Sequence, residues 1–254
     1  MPTPRDGNNP ERRKSSESDY SLMEFMRMFP DDASCLEQLW RDRVAPDGHH
    51  AQCPRCERER KFHRTKARAS YTCDTCGLHV HPQKGTIFER SSTSLHLWFY
   101  AMYLMASTRC GISAKQMERE IGVTYKQAHK MMKRIRTLMG DDGEPLKGDV
   151  EVDETSWGGK PRKPMNLAEG AAFREAKPTV LGMVERRGRV RARVIASRRG
   201  APRSRAVLAN DAYKKASPLY LQNYLDEYAW RHNAKRDPGA LFTQLLGRPS
   251  GHAN

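Results

Sequence analysis

Apolar residues recur at helical spacing from Ser21 to Arg43: Leu22, Phe25, Met26, Met28 and Phe29, then Leu36, Leu39 and Trp40. Positions three and four apart share one helix face, so the pattern predicts two short helices. Pro30-Asp31-Asp32 separates them, and Asp32 or Ser34 is suited to cap the second. The period then shortens. Arg58 to Lys66 and Tyr71-Thr72 alternate enough for two short strands, and His79-Val80-His81 for a third. Leu95 to Ala106 is the longest apolar run. It is too short to cross a bilayer, contains His96, and reads as a buried helix. A helical region extends from about Leu95 to Met139. Within it, Ile112 to Ala128 has the form helix, glycine-containing turn, helix, with Ser113 and Thr124 at capping positions.

Gly140 to Pro145 reads as a linker, and beyond it the period becomes two. Gly148 to Thr155 places Val150 and Val152 on one strand face and Glu151 and Asp153 on the other. Lys177 to Val184 and Arg189 to Ile195 read as two more strands, joined at Arg187-Gly188. Gly158 to Phe173 is a basic loop. Pro218 to Trp230 carries Leu219, Leu221, Tyr224, Leu225 and Tyr228 at the spacing of an amphipathic helix.

Four cysteines add chemistry to this outline. Cys53-Pro-Arg-Cys56 and Cys73-Asp-Thr-Cys76 are separated by sixteen residues. A thiolate pair two residues apart grips a metal ion from one tight turn, and two such turns close a tetrahedral zinc ribbon site. His79 and His81 compete as ligands, but a structural site closes at four, so the four cysteines are the expected set and zinc the expected ion. Cys35 and Cys110 stand alone, which does not suggest a disulfide framework and points to a reducing cytoplasm. Met1 to Ser18 is polar and lacks the apolar core of a secretory signal.

Charge then narrows the partner. Lys plus Arg number 45 against 30 Asp plus Glu, a net charge of +15. Arg186, Arg187, Arg189, Arg191, Arg193, Arg198, Arg199, Arg203 and Arg205 face only Glu185 within their stretch. Such a surface attracts polyanions, and double-stranded DNA is the expected partner rather than a membrane. The segment Tyr125 to Arg136, with Lys126, Lys130, Lys133, Arg134 and Arg136, suits a helix entering a major groove. An ordinary helical hairpin with a solvated basic face fits the same pattern. Asp153, near a strand end with Glu151 on its face and Glu154 beside it, suits a catalytic Mg²⁺ or Mn²⁺. Taken alone, it reads as a solvated acidic strand end.

Several stretches in order change that weighting. Phe29-Pro30-Asp31-Asp32 with Cys35 precede the first cysteine pair. Gly85 to Ser91, Leu95 and Trp98 follow the second, then Gly111 to Ala114 and Lys133 to Arg136. Val150 to Thr155 leads to Gly158-Gly159-Lys160, and Leu219 to Arg231 closes the series. Over roughly residues 20–245 the chain resembles the DDE insertion-sequence transposases of the ISXO type. That resemblance implies a multidomain α+β fold: N-terminal helices plus zinc ribbon, a helix-turn-helix region, and a partial RNase H-like α/β core. The corresponding ranges are a disordered tail at 1–19, the helical lead-in and ribbon at 20–90, a helical region at 91–140, a truncated DDE transposase domain at 148–245, and a tail at 246–254. It also implies metal-dependent strand cleavage and transfer at terminal inverted repeats, a homo-oligomer on DNA, a bacterial nucleoid location, and Asp153 as first acidic residue.

The chain departs from the family in its core. Only Ala196 to Ser217 separates the third strand from the closing helix, too little for the missing helix, strand and ligands. Asp211, after Val207-Leu208-Ala209, either stands in for the second Asp or is a turn residue at the junction of an internal deletion. Asp226 and Glu227 are structural in the family pattern. The expectation is a catalytically crippled transposase that keeps DNA binding. The alternative is a zinc-ribbon DNA-binding protein, or transposition competitor, without enzymatic activity.

Overall fold

The computed structural model describes residues 21–66, 68–108, 111–140, 143–157, 166, 168–169, 177–186, 188–195, 218–234 and 241–248. The expected tail 1–19, Cys110, Asp211 and nearly all of the basic loop lie outside the described residues. The chain divides into two compact units, 1–109 with 235–250 and 110–234 with 251–254. This division splits the expected helical region 91–140 between them.

The first unit begins with α1 (Leu22–Met28) and α2 (Asp32–Arg43). Each starts with a capping box. Ser21 Oγ accepts from the Glu24 N–H at 3.2 Å, and Glu24 returns the bond at 2.6 Å. Asp31, not Asp32 or Ser34, caps α2: its Oδ1 accepts from the Ser34 N–H at 2.8 Å. Asp32 instead accepts the His96 N–H at 2.7 Å, at the start of α3 (Leu95–Ser107). Burial of residues all round α3 explains its long apolar run, interrupted only by His96. It packs with α2 and with a late helix, α7 (Leu241–Gly247). Phe25 is wholly buried, with Tyr103 and Phe242 rings at 4.9 and 5.6 Å. Removing a side chain of this size from water stabilises by about 2–3 kcal/mol. α7 therefore belongs with the N-terminal helices, across the boundaries expected for 148–245 and 246–254.

The same unit holds a four-stranded antiparallel sheet in the order β1 (His50–Cys53), β2 (Arg58–Arg64), β3 (Tyr71–Cys73), β4 (His79–Val80). The strand β1 has no apolar rhythm of its own and was not expected; pairing of Cys53 with Arg58 and His50 with Lys61 defines it. Trp40 of α2 lies flat on Tyr71, centroids 4.1 Å apart, and against Phe62 at 5.4 Å.

The second unit starts with α4 (Ala114–Ile121) and α5 (Tyr125–Leu138). Gly122 ends α4 in the left-handed region, φ 70°, which glycine adopts at little cost. A three-stranded antiparallel sheet follows, β5 (Val150–Ser156), β6 (Thr179–Glu185) and β7 (Val190–Ile195), in that order. A 3-10 turn (Pro218–Tyr220) leads into α6 (Leu221–Ala234), which packs on β7. Val180, Ala192, Leu221 and Leu225 form the core here, flanked by Trp157 and Val194.

Two amide side chains on α6 take the place of a further strand beside β7. Asn233 accepts the Val190 N–H at 2.7 Å and donates to the Val190 carbonyl at 2.9 Å. Gln222 accepts the Val194 N–H at 2.8 Å and donates to the Ala192 carbonyl at 3.0 Å. Satisfying these backbone groups removes a template for unwanted pairing.

Candidate metal centre and nucleic-acid interface

The two cysteine turns are built alike. Cys53 ends β1 and Cys73 ends β3, and each is followed by a turn that returns to its cysteine. The Glu57 N–H donates to the Cys53 carbonyl at 2.9 Å, and the Gly77 N–H to the Cys73 carbonyl at 3.1 Å. Both residues that follow the second cysteine adopt positive φ, 53° at Glu57 and 69° at Gly77. The chain supplies glycine at one and accepts a strained glutamate at the other.

These turns bring Cys53, Cys56, Cys73 and Cys76 together, with all four sulfurs within 4.8 Å of one another. The Cys53 and Cys76 sulfurs are 3.6 Å apart. A tetrahedral ion with Zn–S bonds of about 2.3 Å places sulfurs about 3.8 Å apart, so the cluster fits zinc. Burial opposes a Cys53 thiolate, but N–H groups of Cys56 and Arg55 and the thiols of Cys76 and Cys73 outweigh it and bring the pKa to about 7. Cys56 goes the other way, pushed up to about 12, chiefly by its bond to Cys76. Four thiolates at such separations repel, and a divalent cation compensates that charge. His79 and His81 are exposed and bond elsewhere, to Thr72 Oγ1 at 3.0 Å and the Ala69 carbonyl at 3.3 Å.

On α5 the five expected DNA-contact residues separate. Lys126, Lys130 and Lys133 are exposed, and positions four and three apart put them on one face. Lys133 Nζ also lies 4.6 Å from the Tyr220 ring centroid. Arg134 is half-buried. Arg136 departs from the expectation: its side chain is only 6% exposed and its Nε donates to Glu227 Oε2 at 2.7 Å. The guanidinium also covers the Tyr224 ring at 4.2 Å. Arg231 donates to the other Glu227 oxygen at 2.7 Å, and Glu227 is 1% exposed. Arg136 thus serves the interior, where it ties α5 to α6. Its position was a usable signal, since Ala128, Met132, Arg136 and Met139 follow one another at helical spacing on the apolar face.

Asp153 sits midway along β5, opposite Gly182 of β6, which is opposite Ala192 of β7. Cross-strand partners share a face, so Asp153 lies on the face that carries Val180, Ala192 and the α6 core. The acidic side of β5, not the Val150 and Val152 side, joins that core face; Val150 is 36% exposed. Asp153 is 9% exposed, and both its carboxylate oxygens are buried with no hydrogen-bond partner among the described residues. Burial of a carboxylate without compensation is costly, so these oxygens fit a cation ligand. Glu151 on the same face lies 3.6 Å from Arg186. Among the described residues the four cysteines are the one cluster of three or more metal-ligating side chains. The described acidic residues therefore do not assemble a two-ion site around Asp153.

Among the described residues no helix is long and apolar enough to cross a membrane. No family model and no solved structure matches the chain. Over 125 residues it is 31% identical to a protein of Halobacterium salinarum described as an uncharacterized protein in transposable element ISH50, a match covering 48% of this chain and 40% of that relative. The chain is thus related over about half its length to a protein carried by an insertion sequence.

Proposed function

We propose that this chain is a DNA-binding protein of an insertion sequence, a transposase by ancestry that binds the element's terminal inverted repeats and has lost strand cleavage. The similarity to the ISH50 protein carries the reading. The four-cysteine cluster supports it as the organiser of a cationic N-terminal unit. The exposed row Lys126, Lys130 and Lys133 on a helix that follows a three-residue turn supports a groove-reading role. In this reading β5 to β7 correspond to the opening strands of an RNase H-like core, and Asp153 is the first ligand of its Mg²⁺ or Mn²⁺ site. One buried carboxylate with no converging partner among the described residues does not make the two-ion clamp that strand transfer requires, which favours binding without chemistry.

The test is a duplex carrying the element's end, offered with Mn²⁺ and compared with a scrambled duplex and a matched RNA. Preferential retention of the end duplex, with no nick, is expected. A metal-dependent nick refutes the loss of catalysis. Equal affinity for all three nucleic acids refutes the functional reading.

A further inference from the structure

An open cavity of about 270 Å³ lies in the N-terminal unit, where Arg64, Lys66, Arg68 and Gln83 meet Asp32. Three cations against one carboxylate give a formal charge of +2. Asp32 is engaged, because it accepts the His96 N–H at the start of α3. Lys66 and Arg68 are exposed, and neither side chain has an ion pair among the described residues. Concave sites lined by one sign of charge focus their field and concentrate counter-ions.

Arg64 ends β2, and the described residues around Lys66 and Arg68 are braced. Within the β2–β3 connection the Thr65 N–H donates to the Ser70 carbonyl at 2.9 Å and the Ser70 N–H to the Arg68 carbonyl at 2.8 Å. Thr65 and Thr72 hydroxyls are 2.8 Å apart, and Ser70 is wholly buried. The Arg64 guanidinium stands 5.8 Å over the Tyr71 ring, which itself stacks on Trp40. A backbone fixed at these points loses less freedom on binding than a mobile arm does. The volume falls just below the range of about 300–1,000 Å³ typical of pockets for drug-sized ligands, and a phosphate group fits within it.

We propose that this cavity seats a phosphate group of the nucleic-acid backbone, so that the ribbon fixes DNA through one localised phosphate as well as through diffuse surface charge. The proposal rests on the DNA-binding reading above and names where that binding is anchored.

The experiment uses the full zinc-loaded chain and the variant Lys66→Gln/Arg68→Gln. Two readouts are taken: amide NMR shifts of Ser70 to Cys73 on titration with inorganic phosphate at constant ionic strength, and the salt dependence of binding to duplex DNA. Unchanged zinc content and unfolding temperature establish that the variant is folded. Phosphate is expected to shift these amides in the parent and at least tenfold more weakly in the variant. The slope of log K against log salt is expected to become shallower by about 0.9 for each phosphate that the variant no longer neutralises. Absence of a phosphate-dependent shift in the parent, or an equal shift in the variant, overturns the proposal. An abolished phosphate response with an unchanged DNA slope overturns the backbone assignment and leaves free phosphate as the occupant. If the parent binds no DNA at all, the functional reading fails, and the phosphate titration by itself decides the cavity.

Discussion

Substituting Glu227→Gln tests the buried charge network that joins α5 to α6. Glu227 accepts from Arg136 Nε at 2.7 Å and from Arg231 Nη2 and Nε at 2.7 and 3.2 Å. The side chains of Glu227, Arg136 and Arg231 are 1%, 6% and 11% exposed. A neutral amide leaves two guanidinium groups facing each other with little water to screen them. Breaking a buried pair in this way costs about 3–5 kcal/mol. For a unit of this size that lowers the midpoint of thermal unfolding by roughly 10–20 °C. A pH dependence accompanies the loss. Burial pushes the Glu227 carboxyl up, but Arg136 and Arg231 outweigh it and hold it below the ordinary glutamate value. A group depressed in the folded state contributes stability above its unfolded pKa, about 4.3, and loses it as pH falls through the folded value. Urea unfolding from pH 7 down to pH 3 is therefore expected to show a steeper acid loss in the parent than in the variant. A destabilisation under 1 kcal/mol at pH 7, or equal acid slopes, would refute the network's role.

Cys53→Ser is expected to release zinc and unfold the ribbon, because apparent zinc affinity of about 10–16 kcal/mol is folding free energy in such modules; one zinc per chain retained on metal analysis would overturn the ligand set. Glu57→Gly relieves a left-handed backbone costing about 1–2 kcal/mol, partly offset by glycine's entropy in the unfolded chain, so a small rise in unfolding temperature is expected and a fall contradicts the strain. Asn233→Ala strips both bonds from the Val190 backbone and is expected to cost about 1–3 kcal/mol, with increased aggregation on light scattering; an unchanged midpoint would show that the edge is protected otherwise. Lys126→Gln/Lys130→Gln is expected to flatten the salt dependence of DNA binding by about 1.8, and an unchanged slope would remove α5 from the interface.

Local rules made much of this protein legible from its residues. Cysteine pairs two apart define a metal grip within a few residues, so Cys53, Cys56, Cys73 and Cys76 were readable before any fold was known. Ser113 and Thr124 were readable as caps because a cap acts over three positions, and they bond Gln116 and Gln127 at 3.1 and 3.3 Å. The alternation in β5 to β7 marked strands because side chains on a pleat repeat every two residues. Other features depend on segments far apart in the chain. β1 exists through its pairing with β2, and α7 through apolar contact with α3 and α2, about 140 and about 205 residues earlier. Arg136 looks like a groove-reading cation until Glu227, 91 positions later, fixes it inside. Asp153 looks solvated on an alternating strand until register and α6 turn its face inward. The sequence by itself determined the locally patterned segments and which sulfurs meet, because those choices are made by neighbours along the backbone. Which charges face water and which face the core was decided only by the tertiary structure, because burial is a property of what packs opposite.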